Sequence, residues 1–142
     1  MLAKQFDVSA DVWSATSYKL LRNDNASGPT LWNRLRNRAA ISPISKSPGP
    51  RARRVLAVSD YMIVPDQIAP WVPGGLTTLG TDGFGRSDTR PNLRRFFEVD
   101  AEMTVVATLD ALARKGELGK EVVAKAIREL GVDPEKASPH LV

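Results

Sequence analysis

The spacing of apolar positions changes along this chain, and each change predicts a different element. Val8, Ala10 and Val12 recur every second residue, which predicts a short strand ending near Trp13. Ser17 is placed to cap a brief helix through Tyr18, Leu20 and Leu21, and Asn23 to Gly28 is turn chemistry. Pro29 then opens a short helix carrying Leu31, Trp32 and Leu35. Over residues 41–54 the apolar period disappears into Ser, Pro, Gly and basic residues, including Ser47-Pro48-Gly49-Pro50, and a flexible surface loop is expected. Val55-Leu56-Ala57-Val58-Ser59 is a continuous apolar run of strand length, the pattern of a parallel strand covered on both faces.

From Asp60 a helix with Tyr61, Met62, Ile63, Gln67, Ile68 and Trp71 is expected, with a break or fresh start at Pro65. Leu76-Thr77-Thr78-Leu79 supplies the next strand, completing a strand-helix-strand unit with a right-handed crossover. Pro91 begins a short helix with Leu93, Phe96 and Phe97 on its apolar side, and Glu98-Val99 reads as extended. Asp100 is a strong cap for a helix whose Val105, Val106, Leu109, Leu112 and Ala113 share a face, ending at Gly116. A last amphipathic helix carries Val122, Val123, Ala126, Ile127 and Leu130 inward and closes at Gly131. Asp133-Pro134 begins a turn, and residues 137–142 are expected to form a loose tail. At 142 residues without an internal repeat, one domain spanning 1–142 is the expectation.

Between the second strand of that unit and Pro91 runs the most distinctive stretch, Gly80-Thr81-Asp82-Gly83-Phe84-Gly85-Arg86-Ser87-Asp88. Its glycines permit positive φ or close approach, and Phe84 is a lone apolar side chain between two of them. Thr81, Asp82, Gly83, Phe84, Gly85, Arg86, Ser87 and Asp88 are therefore the candidate site residues, for an interdomain contact or a bound anion. The loop does not match G-x-G-x-x-G, nor the P-loop G-x-x-x-x-G-K, so it does not read as a nucleotide loop. Arg86, Arg90, Arg94 and Arg95 with the helix start at Pro91 could hold a phosphate or carboxylate, although interspersed acids favour a structural ion-pair network. Asp82 and Asp88 are better suited to fixing turns than to binding a cation.

Composition narrows the chemistry further. There is no cysteine, which removes disulfides, thiolate nucleophiles and cysteine metal sites. His140 is the single histidine, too little for a triad or a histidine metal site. No apolar run is long enough to span a bilayer, no signal-peptide pattern is present, and a cytoplasmic protein is expected. The net charge of +4 is uneven: nine Lys or Arg against Asp24 between Lys19 and Arg54 give that stretch +8 and the remainder −4. Residues 19–54 could thus serve as a basic binding module for nucleic acid or another polyanion, or be a solvated connection. The two final helices match helix-turn-helix only weakly because their polar face mixes signs evenly, and nucleic acid is the less favoured partner.

Several stretches, in order, resemble one family. Asp11-Val12-Trp13-Ser14-Ala15-Thr16-Ser17, Ser59-Asp60-Tyr61-Met62, Asp66-Gln67-Ile68, Leu79 to Asp88 and Arg95-Phe96-Phe97-Glu98-Val99-Asp100-Ala101 are similar to the C-terminal domain of the homodimeric, thiamine-diphosphate-dependent pyruvate dehydrogenase component. The resemblance runs from about Leu2 to Leu130, and the loop motif is its most specific part. It implies a transketolase C-terminal-like fold: α/β, three-layer α/β/α, with a small, mostly parallel sheet. It further implies a structural and subunit-contact role, the preceding domains and a second subunit as partners, and indirectly the lipoyl acetyltransferase core. The full family enzyme decarboxylates pyruvate and reductively acetylates lipoyl groups with thiamine diphosphate and magnesium. This chain has no G-D-G motif and is expected to hold no cofactor and no catalytic residue itself, as a fragment or a separately encoded domain. The stretch from Arg34 to Arg54 departs from the family pattern.

Overall fold

The computed structural model describes residues 1–20, 22, 54–61, 64–72, 74–139 and 141. The helix expected at 29–35, the loop at 41–53, Leu21, Met62, Ile63 and His140 lie outside these residues, as does the side chain of Trp71. Among the described residues, helix α1 (Leu2–Phe6) comes first, residues 18–20 and 22 are also helical, and strand β1 (Val55–Val58), a 3₁₀ helix (Val64–Trp71) and strand β2 (Leu76–Leu79) come later in the chain. Three further helices complete the order: α2 (Arg90–Phe96), α3 (Ala101–Ala113) and α4 (Lys120–Glu129).

The β1 and β2 strands pair in parallel, with Val55 opposite Leu76 and Val58 opposite Leu79. Two parallel strands need a crossover, and the 3₁₀ helix supplies it. Asp60 and Tyr61 are not helical, and the 3₁₀ helix starts at Val64, next to the fresh start expected at Pro65, which is among the most fully buried side chains. Pro70, inside the helix, lacks the N–H that an α-helical ladder would use there, which suits the 3₁₀ form. Thr78 of β2 donates to Asp66 Oδ1 at 2.6 Å, fastening crossover to strand. Just before β1, Arg54 donates through Nη1 to the carbonyl of Gly74, at the turn into β2.

The core lies lower in the chain. Val105, Val106 and Leu109 of α3 meet Ala126 of α4, surrounded by half-buried Met103, Leu118, Val122, Val123, Ile127 and Leu130. Both strands also lie against α3, which therefore joins the helical pair to the sheet. The helix ends expected at Gly116 and Gly131 are present, with φ of 74° and 62°. In each, the next residue's N–H reaches back five positions, Glu117 to Leu112 and Val132 to Ile127, closing the helix as left-handed caps do.

Asp100 performs two tasks with one carboxylate. Oδ1 accepts from the Met103 N–H at 2.8 Å, capping α3, while Oδ2 accepts from Arg95 at 3.0 Å. Asp100→Ala should therefore destabilise the chain by about 1–2 kcal/mol, the upper range for losing a cap. Asp100→Asn, which keeps an acceptor for Met103, should recover much of that in urea titrations followed by circular dichroism.

Three expectations need correction. The strand over residues 8–12 is not formed: the segment is irregular, Val12 is 93% exposed, and only Val8 packs on the core. Alternation makes a strand only where the segment is laid along another strand's edge, and among the described residues β1 and β2 pair with each other and not with this segment. Before it, α1 places Leu2 and Phe6, four residues apart, against the core. Glu98 is not extended but left-handed, with φ of 62°. It closes α2, where the Val99 N–H donates to the Arg94 carbonyl at 3.0 Å. Finally, β1 is not covered on both faces, since Ala57 is buried but Val58 is 38% exposed.

Candidate functional site

The glycine loop leaves the carboxyl end of β2, and two backbone bonds set its entrance. The Ser59 N–H donates to the Leu79 carbonyl at 2.9 Å, and the Thr81 N–H donates to the Tyr61 carbonyl at 2.8 Å. The chain after β1 and the chain after β2 are thus held side by side beyond the sheet. Gly83, with φ of 113°, occupies backbone space that side chains rarely enter. At Gly85 a Cβ would meet nothing within 4 Å, so close approach does not explain that glycine.

Thr81 and Asp82 are half-buried, whereas Gly83 through Asp88 are exposed. Phe84 is 86% exposed. The loop exit is fixed by Asp88, whose Oδ1 accepts from the Thr89 N–H at 2.6 Å and from Asn92 Nδ2 at 2.8 Å. These bonds, the one from Asn92 first, hold the Asp88 carboxyl below its usual range. Asp88 thereby orders the start of α2, with Thr89 as the capping residue and Pro91 in the first turn.

The arginines that follow are distributed among separate partners. Arg86 lies over the Phe96 ring, 4.0 Å from its centroid. Arg94 donates to Asp60 Oδ2 at 2.8 Å, a bond that raises the guanidinium pKa further and ties α2 to the turn after β1. Both partners are largely exposed, so the pair adds little stability and mainly sets position. Arg95 joins Asp100 to the Gly131 carbonyl, drawing together α2, the start of α3 and the end of α4. An open cleft of about 570 Å³ beside them is lined by Arg90, Arg94 and Arg95, but also by Asp100 and Glu102. Arg94 and Arg95 thus stand in ion pairs with Asp60 and Asp100, and Arg86 stands over an aromatic ring.

Local sequence does not reveal Lys136. Its Nζ donates to the carbonyls of Arg95 and Phe96 at the end of α2 and to Glu98 Oε1 at 3.1 Å. It also stands 5.4 Å from the centroid of the Phe96 ring. These partners are some forty residues earlier, beyond the reach of any periodicity or motif. Of the basic stretch 19–54, Lys19, Leu20, Arg22 and Arg54 are described, and Ser17 accepts from the Leu20 N–H at 3.2 Å, as the expected cap.

Among the described residues no three His, Asp or Glu side chains group so as to hold a metal ion. No described helix is long and apolar enough to cross a membrane.

A parallel strand pair, a glycine loop at its carboxyl end and a helical pair packed beneath define a small α/β module, and residues 1–100 match the transketolase-like C-terminal domain family. The chain belongs to that family. Its relatives include proteins named pyruvate dehydrogenase E1 component: that of Mycobacterium tuberculosis is 50% identical over 98% of this chain and 15% of its own length. That of Pseudomonas aeruginosa is 45% identical over 98% of this chain and 16% of its own, and that of Escherichia coli K12 is 41% identical over 99% and 16%. The chain thus spans about one-sixth of the length of these curated relatives.

Proposed function

We propose that this chain is the C-terminal structural and subunit-contact domain of a pyruvate dehydrogenase E1 component. It forms one domain over residues 1–142, with a basic loop at 41–54 and a loose tail at 137–142. The observation that carries the reading is the near-complete match of this chain to a small part of each E1 relative. Exposed apolar side chains give it physical content. Val12, Trp13, Tyr61 and Phe84 are each more than half exposed, a surface suited to contact with other domains. In this reading the whole enzyme decarboxylates pyruvate and acetylates lipoyl groups in the cytoplasm. Thiamine diphosphate and magnesium are held by the preceding domains, a second subunit completes the enzyme, and the lipoyl acetyltransferase core is met indirectly.

The test is reconstitution. The 142-residue chain is mixed with the Pseudomonas aeruginosa E1 component from which the matching region has been removed. Co-elution on size exclusion and recovery of pyruvate decarboxylation, absent from either part alone, are expected. Separate elution with no recovered activity, or decarboxylation by this chain alone, would overturn the reading.

A further inference from the structure

We propose that the Phe96 ring is a shared cation platform through which Lys136 governs the order of the glycine loop. Phe96 is the last residue of α2, and two cations reach its ring: Arg86 from the loop, at 4.0 Å from the centroid, and Lys136 from the segment after α4, at 5.4 Å. Cations near an aromatic face are held by the ring's quadrupole. Lys136 does more than touch the ring. Its ammonium closes the carboxyl end of α2 through the carbonyls of Arg95 and Phe96, where a positive charge is favoured.

Glu98 makes the arrangement charge-dependent. Its left-handed backbone turns the chain at the helix end, and its carboxylate accepts from Lys136 at 3.1 Å. A non-glycine residue in that conformation persists where its surroundings hold it, and the Lys136 pair is such a hold. The side chains of Lys136 and Glu98 are only 26% and 35% exposed, so the pair is partly shielded from solvent screening. Phe96 also packs edge-on against buried Phe97, ring centroids 4.9 Å apart, which limits how the platform turns while α2 stays closed. Removing the ammonium frees the helix end and with it the seat of Arg86. The consequence falls on residues 80–88, about fifty positions earlier, and it does not depend on what the loop contacts.

The experiment compares amide hydrogen exchange of residues 80–88, and trypsin cleavage after Arg86, in the full chain and three variants. Lys136→Met keeps the aliphatic stem without the charge, Lys136→Arg keeps the charge, and Phe96→Leu removes the ring but retains apolar bulk. Lys136→Met and Phe96→Leu should each accelerate loop exchange and cleavage roughly two- to fivefold, the scale of one cation–π contact. Lys136→Arg should stay near wild type. Exchange in α3 and α4 should not change, which separates this effect from general unfolding. The proposal is overturned if either variant that keeps α3 and α4 protected leaves loop exchange at the wild-type rate, or if Lys136→Arg loosens the loop as much as Lys136→Met. Should Lys136→Met unfold the chain, Phe96→Leu decides the matter.

Discussion

Leu109→Ala is expected to destabilise the chain by about 3–5 kcal/mol. Leu109 is fully buried on α3, between Val105 and Val106 of its own helix and Ala126 of α4. The three removed carbons leave a cavity, and the neighbours cannot close it without moving one helix against the other. Domains of this size have about 5–15 kcal/mol in total, so most of the stability margin would be lost. Urea unfolding followed by far-UV circular dichroism measures the effect, with Leu109→Met as the volume-conserving comparison, expected to cost less than about 1.5 kcal/mol. A loss below about 1 kcal/mol for Leu109→Ala would mean that α3 and α4 do not form one cooperative core.

Phe84→Asp should behave in the opposite way, neutral in the chain alone and severe in the assembly. At 86% exposure Phe84 contributes little to the fold, and its replacement should change stability by no more than about 0.5 kcal/mol. An exposed aromatic on a loop fixed at both ends is, however, the kind of residue that anchors an interface. Burying a carboxylate in its place should weaken association with the truncated E1 component by at least about 2 kcal/mol, roughly 30-fold in affinity. Titration calorimetry or analytical ultracentrifugation reads this directly. Unchanged association would place the contact surface elsewhere, at Trp13 or Tyr61.

The parts of the fold legible in the sequence are those whose cause is local. The β1 and β2 strands, the helix starts at Asp100 and near Pro91, and the ends at Gly116 and Gly131 follow from run length, caps and glycine. The segment at 8–12 misleads because its alternation is genuine but unpartnered, and pairing is a property of the whole sheet. Helix α1 was legible in principle, since Leu2 and Phe6 stand one turn apart, but five residues give too short a period to compete with the alternation after it. Glu98 carries no sign of its left-handed backbone because glycine or asparagine ordinarily marks that position. At the candidate site the glycine loop and the balance of arginines with acids are visible from residue types. Which acid meets which arginine is not, because Asp60 and Arg94 are brought together by the strand-to-helix geometry.

The paired strands carry one more consequence. Among the described residues β1 and β2 have only each other, so this sheet has two edges and no interior strand. Among the described residues no further strand pairs with the outer backbone groups of either edge, and Val58, 38% exposed, stands at the end of one of them. A partner that adds a strand would satisfy those groups along its whole length, whereas copies of the chain kept by themselves at high concentration would find the same groups on one another. Solubility of this module is therefore expected to depend on the company it keeps.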